Sequence, residues 1–279
     1  PTTQYISTRP LPDDARAADH HALHLSAAHP PLAVMLVLTQ LSVGAFVAAL
    51  LTERGGGALA AAVAAVVALA ASVFHLGRPL IAYRAVLGLR HSWLSREIVA
   101  FGAYAVLAGA YAVGRAAGLP VAPVGVAAAA FGVIGVVCSV LIYVVTRRAW
   151  WRARYTFVKY ATTAAATGPL LVLATGGTST ALALTAAAAT AVALADEAWF
   201  LFRHHSGDTD LARTAHLLTH RLRGSTAWRF ALGGVGAIVA AAGGPAAVAL
   251  AAVLAGVLIE RYQFFVASVV PRMPGGFRR

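Results

Sequence analysis

Cysteine is almost absent from this chain. Cys138 is the one example among 279 residues, and it lies inside an apolar run. A single thiol cannot form an internal disulfide, and it cannot hold an iron–sulfur cluster, which takes several protein ligands. We therefore expect any iron–sulfur cluster that works with this protein to belong to another subunit.

Charged residues are also scarce, at 11% of the sequence, whereas 59% of the residues are hydrophobic. This balance excludes an ordinary water-soluble domain and requires a surface that faces lipid. The charges are grouped between long uncharged runs, which is the pattern of an all-α, polytopic integral membrane protein. The net charge of +12 comes from basic residues that flank these runs, so we expect membrane lipid and not nucleic acid as the partner.

Eight apolar runs each approach the roughly 20 residues that a transmembrane helix needs. They predict eight transmembrane helices at residues 32–52, 58–76, 95–114, 121–145, 159–176, 179–202, 229–243 and 246–268. The seventh is the shortest, because glycines weaken it and Pro245 ends it. We expect a polar N-terminal tail at residues 1–31, a membrane domain at 32–268 and a basic C-terminal tail at 269–279.

Arginines mark one side of the predicted bundle. The loops after helices two, four and six and the C-terminal tail contain Arg78, Arg84, Arg90, Arg147, Arg148, Arg152, Arg154, Arg203, Arg213, Arg221, Arg223, Arg272, Arg278 and Arg279. The loops of the opposite side contain Arg54 and Arg115. By the positive-inside rule, we expect both termini and the turn between helices two and three to be cytoplasmic.

A histidine and a carboxylate stand at facing helix ends. His75 closes the second predicted helix and Glu97 opens the third, so a short loop places both on the same side of the bilayer. An imidazole and a carboxylate at the edge of an apolar layer suit a site that binds a quinone headgroup and takes protons from a quinol. Arg78 adds positive charge and Trp93 a flat apolar face, so both are candidate quinone-binding residues. The alternative is a passive anchor in which His75 only caps a helix.

Four further ionisable residues lie at membrane depth, where they are costly and therefore candidates for function: Asp196, Glu197, Glu260 and Arg261. Asp196 and Glu197 either reach the interface and pair with a loop arginine, or open a proton path to water. Glu260 and Arg261 point about 100° apart on their helix, so we expect each to pair with another helix. These residues suggest a proton-coupled transporter or pump as an alternative function.

Other histidines offer little for a metal or a haem. The N-terminal tail contains His20, His21, His24 and His29, without cysteine or a close carboxylate pattern, and we expect it to lie on a partner. A b-type haem between helices usually takes two facing histidines, and only His29 and His75 border an apolar run. We therefore expect neither a haem nor a metal site in this chain.

The longest internal loop runs from about Arg203 to Arg229. It contains an amphipathic stretch with four leucines, Leu211, Leu217, Leu218 and Leu222. Such a pattern predicts a helix that lies on the surface or forms a docking platform.

Three segments together resemble a known family. The stretch from Phe74 to Ile98, F-H-L-G-R-P-L-I-A-Y-R-A-V-L-G-L-R-H-S-W-L-S-R-E-I, is similar to the hallmark region of the membrane anchor subunit of dimethyl sulfoxide reductase. L-T-Q-L-S-V-G-A-F, from Leu38 to Phe46, resembles that family's first helix, and the segment from Glu260 to Phe277 resembles its C-terminus. Eight predicted helices agree with the family's architecture.

This resemblance implies the quinone-reactive subunit of a multisubunit oxidoreductase of anaerobic respiration, in a prokaryotic cytoplasmic membrane. Such a subunit binds menaquinol or menaquinone, has no haem or catalytic metal, and exchanges electrons with an iron–sulfur subunit of the four-cluster type that serves a molybdopterin catalytic subunit. The family's quinol-site histidine corresponds to His75 and its essential glutamate to Glu97. Related anchors serve several molybdenum or tungsten enzymes, so the partner's substrate and the direction of electron flow stay open.

Overall fold

The regular structure of this protein is helical. The computed structural model describes residues 23–52, 55–73, 84 and 86–269, and in these ranges it contains no strand. Eight long helices are α1 (Pro30–Leu51), α2 (Gly55–Val73), α3 (Trp93–Ala116), α4 (Ala122–Val144), α5 (Ala153–Ala174), α6 (Thr180–Arg203), α8 (Arg223–Ala241) and α9 (Ala246–Val266). The short helix α7 (Asp210–His216) lies between α6 and α8. The predicted all-α fold class is confirmed.

Six of these helices, α1, α3, α4, α5, α6 and α9, are long and apolar enough to cross a membrane. The apolar stretch of α2 is shorter, Gly56–Ser72, and α8 contains Arg223 and Arg229. Exposed side chains on the helices include many large apolar ones, such as Val66, Val106 and Ile238, which suit contact with lipid. A multi-pass membrane protein is therefore confirmed, and the count of eight spans stays a prediction.

Hydropathy placed most helix ends within three residues of the structure, with two exceptions. The helices α5 and α8 begin at Ala153 and Arg223, six residues before the predicted starts at 159 and 229. The first turn of each helix contains an arginine. A search for apolar runs excludes arginine, although its helix propensity is high. Each of these two helices therefore begins with a polar turn that precedes its apolar run.

The helix ends gather on two faces. The backbone N–H of Ser26 donates to the carbonyl of Val266 (2.8 Å), and the indole Nε1 of Trp151 donates to the carbonyl of Phe264 (2.9 Å). These bonds join the start of α1, the α4–α5 turn and the end of α9. We call this side, which also holds the starts of α3 and α8 and the end of α6, the basic face. Arg96, Arg148, Arg154, Arg203 and Arg223 lie at these helix ends, whereas Arg115 is near the opposite end of α3.

The bundle has two halves, α1–α4 and α5–α9, and α1 packs closely on α5 between them. Glycines make this contact possible. A Cβ atom on Gly44 of α1 would overlap the backbone carbonyl of Ala164, and one on Gly168 of α5 would overlap the backbone of Gly44. Small residues let membrane helices approach to backbone contact, which strengthens dispersion and weak hydrogen bonding between them.

The loop between α6 and α8 contains the predicted surface helix. After α7, a π-helical turn (Leu217–Arg221) leads into α8. Leu211, Leu217, Leu218 and Leu222 made this stretch amphipathic. All four are buried in a core cluster at the basic face that also contains the aromatic residues Trp150, Trp151, Phe200 and Phe264. Their apolar side is therefore satisfied by this chain itself, and only the polar side of the helix is open to a partner.

Candidate functional site

Glu97 lies in the core close to the basic face. It is the fifth residue of α3, roughly 6 Å along the helix from its start, and is only 5% exposed. The helix begins where the Ser92 hydroxyl accepts a hydrogen bond from the backbone N–H of Ser95 (3.3 Å). The hydroxyl of Ser139, on α4, donates to the Glu97 carboxylate. A buried carboxylate is thus held between α3 and α4.

Trp93 is the first residue of α3 and lies one helical turn before Glu97, on the same side of the helix. The guanidinium of Arg96 stands over its ring, 4.2 Å from the centroid. Arg96 also donates to the carbonyls of Leu89 (2.9 Å) and Arg90 (3.0 Å). Arg96 therefore connects the preceding turn to α3. It also covers one face of the Trp93 indole, which was predicted to pack on a ligand.

The structure brings together two of the four predicted site residues, Glu97 and Trp93. His75 and Arg78 lie outside the described residues, so their positions stay predictions. Sequence reasoning missed Ser139, the donor to Glu97. Its signal was a hydroxyl within a run of apolar residues, which says that a polar partner is near but not which one.

Aromatic residues lie beside this pair at the basic face. Tyr143 follows Ser139 by one turn of α4, on the same side of that helix, and is buried. The ring centroid of Tyr143 lies 5.2 Å from that of Phe264 and 6.2 Å from that of Tyr160 on α5. Tyr160 in turn packs under the guanidinium of Arg261, 4.2 Å from the ring centroid. The polar side chains of Tyr143, Tyr160 and Arg261 therefore form a series that leads from the region of Glu97 to the second half of the bundle.

The second half contains a cluster of buried charges. The ammonium of Lys159 on α5 lies 2.9 Å from the carboxylate of Glu260 on α9, and Nε of Arg229 on α8 lies 3.3 Å from the carboxylate of Glu197 on α6. All four side chains are buried. We call these four residues the charge cluster. Ions in an apolar interior must be paired, and these pairs join four different helices.

Arg261 extends this set toward the first half. Its Nη2 donates to the side-chain oxygen of Gln40 (3.0 Å) and to the hydroxyl of Thr163 (3.2 Å), which lie on α1 and α5. The prediction that Glu260 and Arg261 each pair with another helix is confirmed. Nη2 of Arg261 also lies 3.6 Å from the carboxylate of Glu260, so the two residues pair with each other as well. Long side chains bridge the angle between neighbouring positions.

Glycines make room for Arg229. A Cβ atom on Gly233 of α8 would come within 2.9 Å of its Nη1, and one on Gly256 of α9 within 3.4 Å. This Nη1 is buried and has no hydrogen-bond partner among the described residues. A buried donor without a partner usually marks the place of an internal water.

Asp196 and Glu197 are neighbours with different surroundings. Asp196 points toward the basic face, where its carboxylate lies 3.5 Å from the guanidinium of Arg154. The side chain of Asp196 is 17% exposed and that of Arg154 is 61% exposed. The predicted pairing of this region with an arginine is thus observed for Asp196. Glu197 instead points inward to the charge cluster.

Replacing Arg154 with alanine is expected to change the free energy of unfolding by less than about 1 kcal/mol, because water screens such an exposed ion pair. Denaturant titration of the detergent-solubilised protein measures this change. A loss of several kcal/mol would show that the pair is part of the buried network.

His204 follows α6 at the same face. Its Nε2 lies 3.3 Å from the Tyr155 hydroxyl. Burial, with the nearby charges of Arg203 and Arg154, lowers the pKa of His204. This shift favours the neutral form of the imidazole.

Comparison with known families agrees with this arrangement. The family model described as DMSO reductase anchor subunit (DmsC) matches residues 24–196. Helices α1–α5, most of α6 and the pair of Glu97 and Ser139 lie within that range, whereas Arg229 and Glu260 lie beyond it. A comparison with curated proteins gives no match. Because the family model covers more than half of the sequence, the chain belongs to the family of DMSO reductase anchor subunits.

Proposed function

We propose that this chain is the quinol-binding anchor subunit of a molybdopterin and iron–sulfur oxidoreductase. The observation that supports this most is the Glu97 carboxylate, buried and hydrogen-bonded by Ser139 near the start of α3. In the sequence, His75 lies between α2 and α3. Membership of an anchor family supports association with a catalytic subunit and an iron–sulfur subunit.

Menaquinol is the substrate in this proposal. It enters from lipid between α2 and α3, and its headgroup lies between His75 and Glu97. The imidazole accepts one hydroxyl proton and the carboxylate accepts the other, while two electrons pass one after the other to the iron–sulfur clusters of the partner and quinone remains. Ser139 holds the carboxylate in place. Arg78 and Trp93 contact the headgroup, the indole through the face that Arg96 leaves open. The same groups serve quinone reduction when electrons flow the other way.

All eight long helices cross the membrane in this proposal, with the basic face and both termini in the cytoplasm. The iron–sulfur and molybdopterin subunits dock on the basic face, next to the quinol site. Protons and electrons then leave the quinol on one side of a prokaryotic cytoplasmic membrane. The subunit adds little charge separation across it.

Introduced cysteines test this orientation, because the native Cys138 is buried. With a membrane-impermeant maleimide, we expect Ala117→Cys, beyond the end of α3, to be labelled in intact cells. His91→Cys, before the start of α3, should be labelled only after the cells are permeabilised. The reverse pattern would place the basic face outside the cytoplasm.

The quinol site is tested by His75→Ala in the assembled complex. We expect quinol-dependent turnover to fall at least about tenfold, because a proton acceptor is lost. Turnover with an artificial donor that reduces the clusters directly should be unchanged. His91→Ala is a matched control, since His91 is an exposed residue of the same segment. Unchanged quinol turnover in His75→Ala would overturn the proposal and leave a passive anchor.

A proton-coupled transporter is the second candidate function, and the charge cluster is the observation that favours it. In that case His75→Ala leaves the cluster and the transport of protons intact. Proton uptake by sealed vesicles containing the chain without its partners would support this alternative. Vesicles that stay tight to protons would exclude it.

A further inference from the structure

Lys159 is the only lysine in the sequence. All the other Lys and Arg positions are arginine. Lys159 is only 8% exposed and belongs to the charge cluster. A buried ion pair is usually better served by arginine, whose guanidinium is planar and weakly hydrated. Arginine keeps its proton in proteins, whereas a lysine ammonium can pass a proton to a neighbouring base. The residue chosen here therefore differs from the others in its ability to transfer a proton.

The charge cluster forms one layer. Lys159, Glu197, Arg229 and Glu260 each lie six residues from the end of their helix at the basic face, roughly 9 Å along it. They line a void of about 10 Å³, which is room for about one water molecule. Asp196, partly exposed, lines the same void. Through this void, Lys159, Glu197 and Glu260 lie close to Asp196, which contacts water at the basic face.

Polar groups also lead from this layer to Glu97. Ser139 donates to Glu97, Tyr143 follows one turn later, and Tyr160 packs between Tyr143 and Arg261. The Tyr160 hydroxyl is fully buried and has no hydrogen-bond partner among the described residues. The same is true of the Nε2 of Gln40. Two unpartnered polar groups beside one arginine mark a place for bridging water.

We infer that Lys159, Glu260 and Glu197 form a proton relay that connects Glu97 with water at Asp196. The inference rests on the proposed function, which supplies the protons. Quinol loses two protons and two electrons, and the electrons go to the partner's iron–sulfur cluster. The proton on Glu97 moves through Tyr143, Tyr160 and bridging water to Glu260. Lys159 releases its own proton to Glu197 and takes up the incoming one. Glu197 releases its proton past Asp196 to water, and every group from Glu97 to Glu197 returns to its starting state. The second quinol proton does not use this relay; it leaves from the His75 imidazole to water.

A purely structural role for these ions makes a different prediction. In that case only the charge and the pairing of residue 159 matter, so arginine replaces lysine with little effect on turnover. In a relay, arginine retains the charge but blocks the transfer, because it does not release its proton. Lys159→Arg therefore separates the two roles. The adjacent void leaves space for the larger side chain.

The test uses the purified complex with its partner subunits, mixed with a soluble naphthoquinol. Cluster absorbance follows electron delivery, and a pH-indicator dye follows proton release. In Lys159→Arg we expect proton release and turnover to slow at least about tenfold with unchanged KM. Arg203→Lys, a basic exchange at the surface end of α6, should leave both rates as in the wild type. Normal proton release in an assembled Lys159→Arg complex would overturn the relay.

Tyr160→Phe keeps the inference open to refutation if the arginine variant does not assemble. It removes only a buried hydroxyl that lacks a partner, so the stability of the chain should be kept or slightly raised. The relay nevertheless requires slower proton release in this variant. Wild-type rates in Tyr160→Phe would exclude the path through the tyrosines. A wild-type complex that does not oxidise quinol would overturn the proposed function, and the proton source of the relay with it.

Discussion

Glu97→Gln is expected to lower quinol oxidation by the assembled complex at least about 100-fold. The amide has the shape of the carboxylate and still accepts a hydrogen bond from Ser139, so the packing between α3 and α4 is kept. It has no basic oxygen, however, and cannot take a proton from the quinol hydroxyl. Loss of a positioned general base typically costs two to four orders of magnitude in rate. Steady-state turnover with a naphthoquinol donor measures the change.

Two controls make this result specific. Turnover with a donor that reduces the iron–sulfur clusters directly should be the same as in the wild type, which shows that the partner subunits are bound and active. Asp210→Asn makes the same change of carboxylate to amide at the start of α7, on the same face. It should leave quinol oxidation intact. Full activity in Glu97→Gln would show that this carboxylate takes no part in the reaction.

Gly168→Val is expected to prevent the two halves of the bundle from joining. A Cβ atom at this position would overlap the backbone of Gly44, and the side chain of valine needs still more room. Because backbone atoms cannot move aside as a flexible side chain does, α1 and α5 must separate. We expect a loss above about 3 kcal/mol, beyond the usual cost of overpacking. The yield of monodisperse protein and its denaturant midpoint in detergent measure this loss.

Gly102→Ala is the matched control for this effect. Gly102 also lies within a long helix, but a Cβ atom there meets nothing within 4 Å. Alanine is the better helix former by up to about 1 kcal/mol, so this variant should be as stable as the wild type or more so. If Gly168→Val folds with wild-type stability, the close crossing of α1 and α5 is not required.

The sequence allowed the helices to be predicted, because long apolar runs have few alternatives in lipid. It did not reveal how the helices pack. Gly44 and Gly168 are two glycines among 26, and nothing local distinguishes them from Gly102. Only the packed structure shows which glycines lie at a crossing. The early starts of α5 and α8 were hidden for the opposite reason, since polar turns are helical without being apolar.

The candidate site shows the same division. Glu97 was predicted correctly as a carboxylate near a helix start, because an isolated charged residue among apolar ones can be recognised from the sequence alone. Its hydrogen bond with Ser139 joins residues 42 positions apart on different helices, which no local pattern encodes. Likewise, Glu260 was expected to pair with another helix, but its partner Lys159 lies 101 residues earlier, and no local pattern connects the two positions.

The hydrogen bond between Ser26 and Val266 has a consequence for how the molecule is made. Ser26 also donates through its hydroxyl to the carbonyl of Ser268, 242 residues later (2.7 Å). A ribosome finishes the first transmembrane segment long before it reaches the last. The segment before α1 therefore lacks its hydrogen-bond partners while most of the chain is synthesised. It can bind in its final position only after α9 has been released into the bilayer. Closure of this end follows translation, so a product that stops short of Val266 stays open there.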